Sequence, residues 1–137
     1  MSGRKTTVDR LNPEGVHRTP GYHHVTTVSA GRTAYLSGQC PLDRSGAVVA
    51  GGFTGQTDQV VANALTVLAA VDAEPDQVVR AVVYVASPNR EDLAAVWRRL
   101  TESTLAPAFT AAATLLGVAQ LGYEGQLVEV DLTVALD

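Results

Sequence analysis

Two spacings of apolar residues organise this chain. Near the C-terminus Val128, Val130, Leu132 and Val134 alternate with Glu129 and Asp131, a period of two that puts aliphatics on one face of a strand and acids on the other. Helical spacing occurs twice. In the run from Thr54, Val61, Ala64, Leu65 and Leu68 fall at i, i+3, i+4 and i+7; Leu93, Val96, Trp97 and Leu100 repeat that spacing further on. Thr54 or Thr57 is the expected N-cap of the first helix, and Glu74-Pro75 closes it. Asn89 is the expected cap of the second, with Glu91 and Asp92 at its positive end and Arg98 and Arg99 near its negative end.

The remaining segments are strand-like. Val25 to Gln39 offers two short runs around Ala30-Gly31-Arg32, which predicts a β-hairpin, and Val48 and Val49 suggest a short third strand. Gln77 to Ser87 is apolar at almost every position, as expected of a central strand covered on both faces. Thr110 to Val118 and Gln126 to Leu136 supply two more strands. The order β-β-(β)-α-β-α-β-β defines an α+β domain, a mixed sheet with two helices packed on one face. No segment is left to cover the other face, so partner subunits are expected there.

Composition narrows the classes. The chain of 137 residues suits one domain, and its 46% apolar and 18% charged residues suit a chain that hides surface in an oligomer. A net charge of −4 argues against a nucleic-acid partner. Cys40 is the one cysteine, which excludes an intrachain disulfide and fits a reducing, cytoplasmic setting. Neither a signal-like apolar run nor a membrane-spanning stretch of about 18 apolar residues is present, so no membrane partner is expected. Residues 1–20 are polar and predict a flexible arm, leaving residues 21–137 as the single domain.

Candidate chemistry is sparse. Glu129, flanked by aliphatics, suits proton transfer or water activation if its face lines a pocket, and is a solvated acid otherwise; Asp131 shares that face. Tyr22 and His24 in GYHHV offer a hydroxyl and an imidazole, although surface histidines are the plainer reading. His17, His23 and His24 lack metal-site spacing, so neither metal nor cofactor is expected. Gly38 in SGQCP permits close approach of a ligand or a second backbone. Cys40 beside it has no local base to make it a nucleophile, and is better read as an inert wall residue. Trp97 lies on an apolar helical face, where core packing is its default role.

The segments GYHHVTTVSAGRTAYLSGQCPLDRSG, GGFTGQTDQVVANALTVLAA, QVVRAVVYVAS and GVAQL…GQLVEVDL together resemble the Rid (YjgF) family of reactive-intermediate imine and enamine deaminases, over residues 15–136. The resemblance implies a chorismate-mutase-like fold assembled as a homotrimer with small-molecule pockets at the subunit interfaces. It also implies that Glu129 positions the attacking water and that Tyr22 lines the pocket. The family's carboxylate-binding arginine falls on Ala113, or on Phe109 with a different anchor, and neither carries charge. Losing such a contact costs about 2–5 kcal/mol. Trp97 stands where some members carry asparagine, and Leu115 where the family uses a small residue. These departures imply a branch acting on a neutral or hydrophobic imine, enamine or related intermediate by hydrolysis, tautomerisation, dehydration or cyclisation. The alternative is a non-catalytic trimer that binds a small molecule or a protein.

Overall fold

The computed structural model describes residues 7–29 and 31–137. Among the described residues six strands form: β1 (Val8–Leu11), β2 (Val25–Val28), β3 (Arg32–Tyr35), β4 (Val78–Val85), β5 (Ala112–Gly117) and β6 (Val128–Leu136). Helices α1 (Gly52–Ala70) and α2 (Arg90–Thr101) interleave with them. Four strands make one mixed sheet in the order β3-β6-β4-β5, parallel between β4 and β5 and antiparallel elsewhere.

The core lies on one face of that sheet. Val83 and Val85 of β4 and Val128, Val130, Leu132 and Val134 of β6 are sealed against Val60, Ala64 and Leu68 of α1 and Val96 and Leu100 of α2. Burying each such aliphatic side chain contributes about 1.5–3 kcal/mol, so the helical and strand periods converge on one dry layer. The opposite face is open in the single chain: Val82, Tyr84, Glu129, Asp131 and Thr133 are half-buried, Arg80 is exposed and Tyr35 is 81% exposed. Thus β4 is dry on one side only, although its sequence predicts cover on both.

Several local expectations are corrected. The predicted hairpin does not form. β2 pairs antiparallel with β1 in a separate two-stranded sheet, while β3 pairs with β6, and the predicted turn residue Ala30 lies outside the described residues. The two runs serve opposite edges. The Ala112 N–H at the start of β5 donates to Thr26 Oγ1 at 2.8 Å, whereas β3 borders β6 at the far side, so the edges draw them apart. The stretch read as a flexible arm contains β1, held in register from Val8 opposite Val28 to Leu11 opposite Val25; residues 1–6 lie outside the described ones.

The helix α1 starts at Gly52, earlier than Thr54, and neither threonine caps it. Gly51 occupies the cap with φ of 104°, a left-handed conformation that glycine adopts without steric cost, and the Thr57 hydroxyl instead donates back to the Phe53 carbonyl. The helix also ends at Ala70, four residues short of Glu74-Pro75, which opens a short 3-10 turn. Asn89 does cap α2, but without a side-chain bond; the Ser87 hydroxyl accepts from Asn89 N–H and donates to Asp92. Val48 forms a single bridge with Leu42 rather than a strand. Among the described residues no helix is long and apolar enough to cross a membrane.

Candidate functional site

Two groups of candidate residues form, on different sides of the sheet. The first surrounds Glu129. Beyond the end of β3 the chain continues beside β6, with Gln39 N–H donating to Val130 O at 2.7 Å and Val130 N–H returning to Gln39 O at 3.1 Å. From α1, Asn63 Nδ2 donates to the carbonyls of Cys40 and Leu42 at 3.0 and 2.9 Å, which fixes the next turn. Gly38 is thereby pressed onto the carboxylates: a Cβ there would lie 2.1 Å from Glu129 Oε2 and 2.8 Å from Asp131 Oδ1, so no larger residue fits unless the acids move.

One oxygen of Glu129 is held and the other is not. Oε1 accepts from Gln126 Nε2 at 3.1 Å and from Cys40 Sγ at 3.3 Å, while Oε2 has no hydrogen-bond partner among the described residues. Burial and the Glu129 contact push the Cys40 thiol up to about 11, so at neutral pH it is a donor and not a nucleophile. Asp131 is taken up by Tyr84, whose hydroxyl donates to Oδ2 at 3.2 Å; burial and that carboxylate raise the phenol above its ordinary value. The two acids that share a face therefore differ in their partners: Asp131 is bonded through one oxygen to a tyrosine, and Glu129 through one oxygen to Gln126 and Cys40.

The second group lines a pocket of about 590 Å³, within the range of small-molecule sites. From β5 come Ala113 and Leu115 with Thr114. From α2 come Ala94, Trp97, Arg98 and Thr101, which share one helical face by their spacing. The N-terminal segment closes the third side with Pro20 and Tyr22. Trp97 combines two roles, because its ring also packs edge-on against the buried Phe109 with centroids 5.6 Å apart.

Tyr22 reaches the pocket because the segment around it is tied down. His23 N–H donates to Ala111 O at 3.4 Å, its Nδ1 bonds Thr110 O, and the Thr19 hydroxyl donates to Tyr22 O. The Tyr22 hydroxyl meets His17 Nε2 at 3.0 Å. His24 does not line the pocket: its Nε2 donates to His17 O at 2.8 Å and its ring stands against that of His17. Among the described residues no group of three or more His, Cys, Asp or Glu is arranged to hold a metal.

Of the residues singled out from sequence, Tyr22, Trp97, Ala113 and Leu115 share the pocket, whereas Gly38 and Cys40 gather at Glu129. Within one chain the two groups do not merge: Glu129 points to the open face, and β4 lies between β6 and the edge strand β5. Sequence reasoning missed Gln126, Thr101, Thr114 and the pocket position of Arg98. The helical spacing of Ala94, Trp97, Arg98 and Thr101 carries that last signal.

This architecture, a four-stranded mixed sheet with two helices on one face and a pocket against its edge strand, defines a class of small α+β proteins. The sequence profile described as Endoribonuclease L-PSP matches residues 16–136, and the chain belongs to that family, the Rid (YjgF) family. A solved structure of the Rid-family protein YyfB from Yersinia pestis is 31% identical, covering 94% of this chain and 98% of its own, with a TM-score of 0.83. The Rid-family protein YyfA of the same organism is 20% identical over 95% of this chain and all (100%) of its own, with a TM-score of 0.68. Yeast Mmf1, 20% identical over 96% of this chain and 100% of its own with a TM-score of 0.68, shares the fold. A search of curated proteins found no match.

Proposed function

We propose that this chain is a Rid-family enzyme acting on a hydrophobic imine, enamine or related reactive intermediate, with its sites completed between the subunits of a homotrimer. The observation that carries this reading is the pocket itself, whose walls are Trp97, Leu115 and Ala113 with the Tyr22 hydroxyl at one side. Such walls favour an apolar body and leave few groups to orient a polar one. The open sheet face supports the assembly, since Glu129 with its unpartnered Oε2 would meet a pocket on a neighbouring copy. A free thiol as the one cysteine is in keeping with a cytoplasmic setting.

For the hydrolytic version, Glu129 Oε2 takes a proton from water as the water oxygen bonds the imine carbon. The C=N electron pair moves to nitrogen, which is protonated, and the resulting carbinolamine splits into a carbonyl compound and an amine or ammonia. Oε1, held by Gln126 and Cys40, fixes the carboxylate plane during the transfer. Tyr22 orients the bound molecule. The test is amine release from imines generated in situ from a series of hydrophobic amines and amino acids. Glu129→Gln should lower turnover by at least about a hundredfold with the assembly intact, and undiminished turnover would remove Glu129 from the mechanism.

One observation favours a second reading, a binding module without catalysis. Ala113 and Phe109 leave β5 and its approach without a charged group, and Glu129 lies outside the pocket of its own chain. Saturable binding with no turnover across the imine series would select it. The ribonuclease activity named in the family's description sits poorly with a net charge of −4, because a polynucleotide is gripped by cations.

A further inference from the structure

The pocket walls are mostly apolar, with a few polar side chains among them. Tyr22, Thr101 and Thr114 bring hydroxyls; among the described residues no carboxylate lines it, and one charged side chain does, Arg98 of α2. Helix geometry puts it there. Ala94, Trp97, Arg98 and Thr101 follow the i, i+3, i+4, i+7 stripe that faces the pocket, whereas Arg99 is turned about 100° further round the helix.

That one step separates two different fates. Arg99 is fully engaged with α1, its Nε donating to Asp58 Oδ1 at 2.9 Å and its Nη2 to Asp58 Oδ2 at 2.8 Å. Asp58 is held below the usual carboxylate range by this contact, and Arg99 is raised by it. The Arg98 guanidinium has no hydrogen-bond or ion-pair partner among the described residues, and Glu102 one turn on makes no ion pair with it.

We propose that Arg98 is the anion-anchoring residue of this pocket, and that the ligand class is an amphipathic monoanion. Its aromatic or branched aliphatic body packs on Trp97 and Leu115, and its carboxylate lies at the rim on the Arg98 fork. This rests on the pocket being the substrate site and deepens that reading: the negative charge is held from the helix wall, leaving the strand wall at Ala113 apolar. A guanidinium matches a planar carboxylate with two parallel hydrogen bonds, which a neutral amide cannot reproduce. Because Arg98 is exposed, solvent screens the pair, so the apolar body supplies most of the affinity and the cation supplies selectivity.

The probes are 3-phenylpropanoate and its neutral isostere 3-phenylpropanamide, added to the full-length protein. Trp97 is the one tryptophan and lines the pocket, so its fluorescence reports occupancy directly. The carboxylate should bind about five- to tenfold more tightly than the amide at low salt, with the preference shrinking as salt is added. Arg98→Gln should bring the two within about twofold, and Arg99→Gln should keep the preference. Equal affinity in the wild type, or a preference that survives Arg98→Gln, overturns the assignment. A preference lost in Arg80→Gln instead moves the anion to the β4 arginine that donates to Thr114, and also overturns it. Failure of both probes to bind defeats the pocket as the substrate site along with this proposal, whereas equal binding of both defeats this proposal alone.

Discussion

The two faces of the four-stranded sheet are built from the same strands and do different work. On the helix side, alternate residues of β4 and β6 are aliphatic and dry, from Val83 and Val85 to Val130 and Leu132. On the open side, the residues between them are Val82, Tyr84, Glu129 and Asp131, all half-buried and mostly polar. A strand separates these demands at no cost in chain length, because neighbours point to opposite faces. The dry core is concentrated on one face and the carboxylates of β6 on the other, so adjacent substitutions should have unrelated consequences.

The largest contrast is expected at Leu132 and Asp131. Leu132 is 1% exposed within the core, and Leu132→Ala should lower unfolding free energy by about 2–5 kcal/mol, measured by urea titration. Asp131→Asn should change the same quantity by less than about 0.5 kcal/mol, since its contact with Tyr84 lies on the open face. A large loss at Asp131 would show that this face is load-carrying too. If assembly covers the face, Asp131→Asn should alter the sedimentation of the protein before it alters the unfolding curve.

A smaller effect is expected at Gly38, which lies outside the core. A methyl group there meets Glu129 Oε2 and Asp131 Oδ1, so Gly38→Ala should displace both carboxylates while the helix-side core stays intact. Any imine turnover found should fall by about tenfold or more with an unfolding midpoint close to wild type. Wild-type turnover in Gly38→Ala would mean that Glu129 can act from a displaced position, and that its place on this face is not tuned.

Much of this division was legible in the chain. The alternation of Val128, Val130, Leu132 and Val134 with Glu129 and Asp131 gives the two faces of β6 directly, since periodicity is a local property. Pairing partners are not local. Nothing around Ala30-Gly31-Arg32 tells β2 that β1 will satisfy its backbone, or tells β3 that β6 will, so the hairpin expected there gave way to two different sheets. The start of α1 was missed for a related reason: Gly51 caps it through its backbone conformation rather than through a side-chain acceptor. At the pocket, Tyr22, Trp97, Ala113 and Leu115 were legible through family resemblance, but Arg98 was read as a helix-end charge like its neighbour Arg99. The partner that distinguishes them, Asp58, lies some forty residues earlier, 41 by count.

Cys40 offers the finest test of the comparison, because its thiol touches a carboxylate of the open face. Its thiol is half-buried and donates to Glu129 Oε1, and burial first and that carboxylate second push it from 9.0 to about 11. Two units correspond to about a hundredfold less thiolate at pH 8 than an unperturbed cysteine would hold. Alkylation by iodoacetamide at that pH should therefore be slow in the folded protein and fast in urea. The sign extends to stability: the folded chain holds this proton more tightly than the unfolded one, so the contribution is intact below pH 9.0 and is lost as pH rises through about 11. Glu129→Gln removes the lesser cause and leaves burial, so it should speed alkylation by several-fold without restoring the rate in urea. No acceleration at all would mean that burial alone controls the thiol, and that Cys40 reports on packing rather than on the carboxylate beside it.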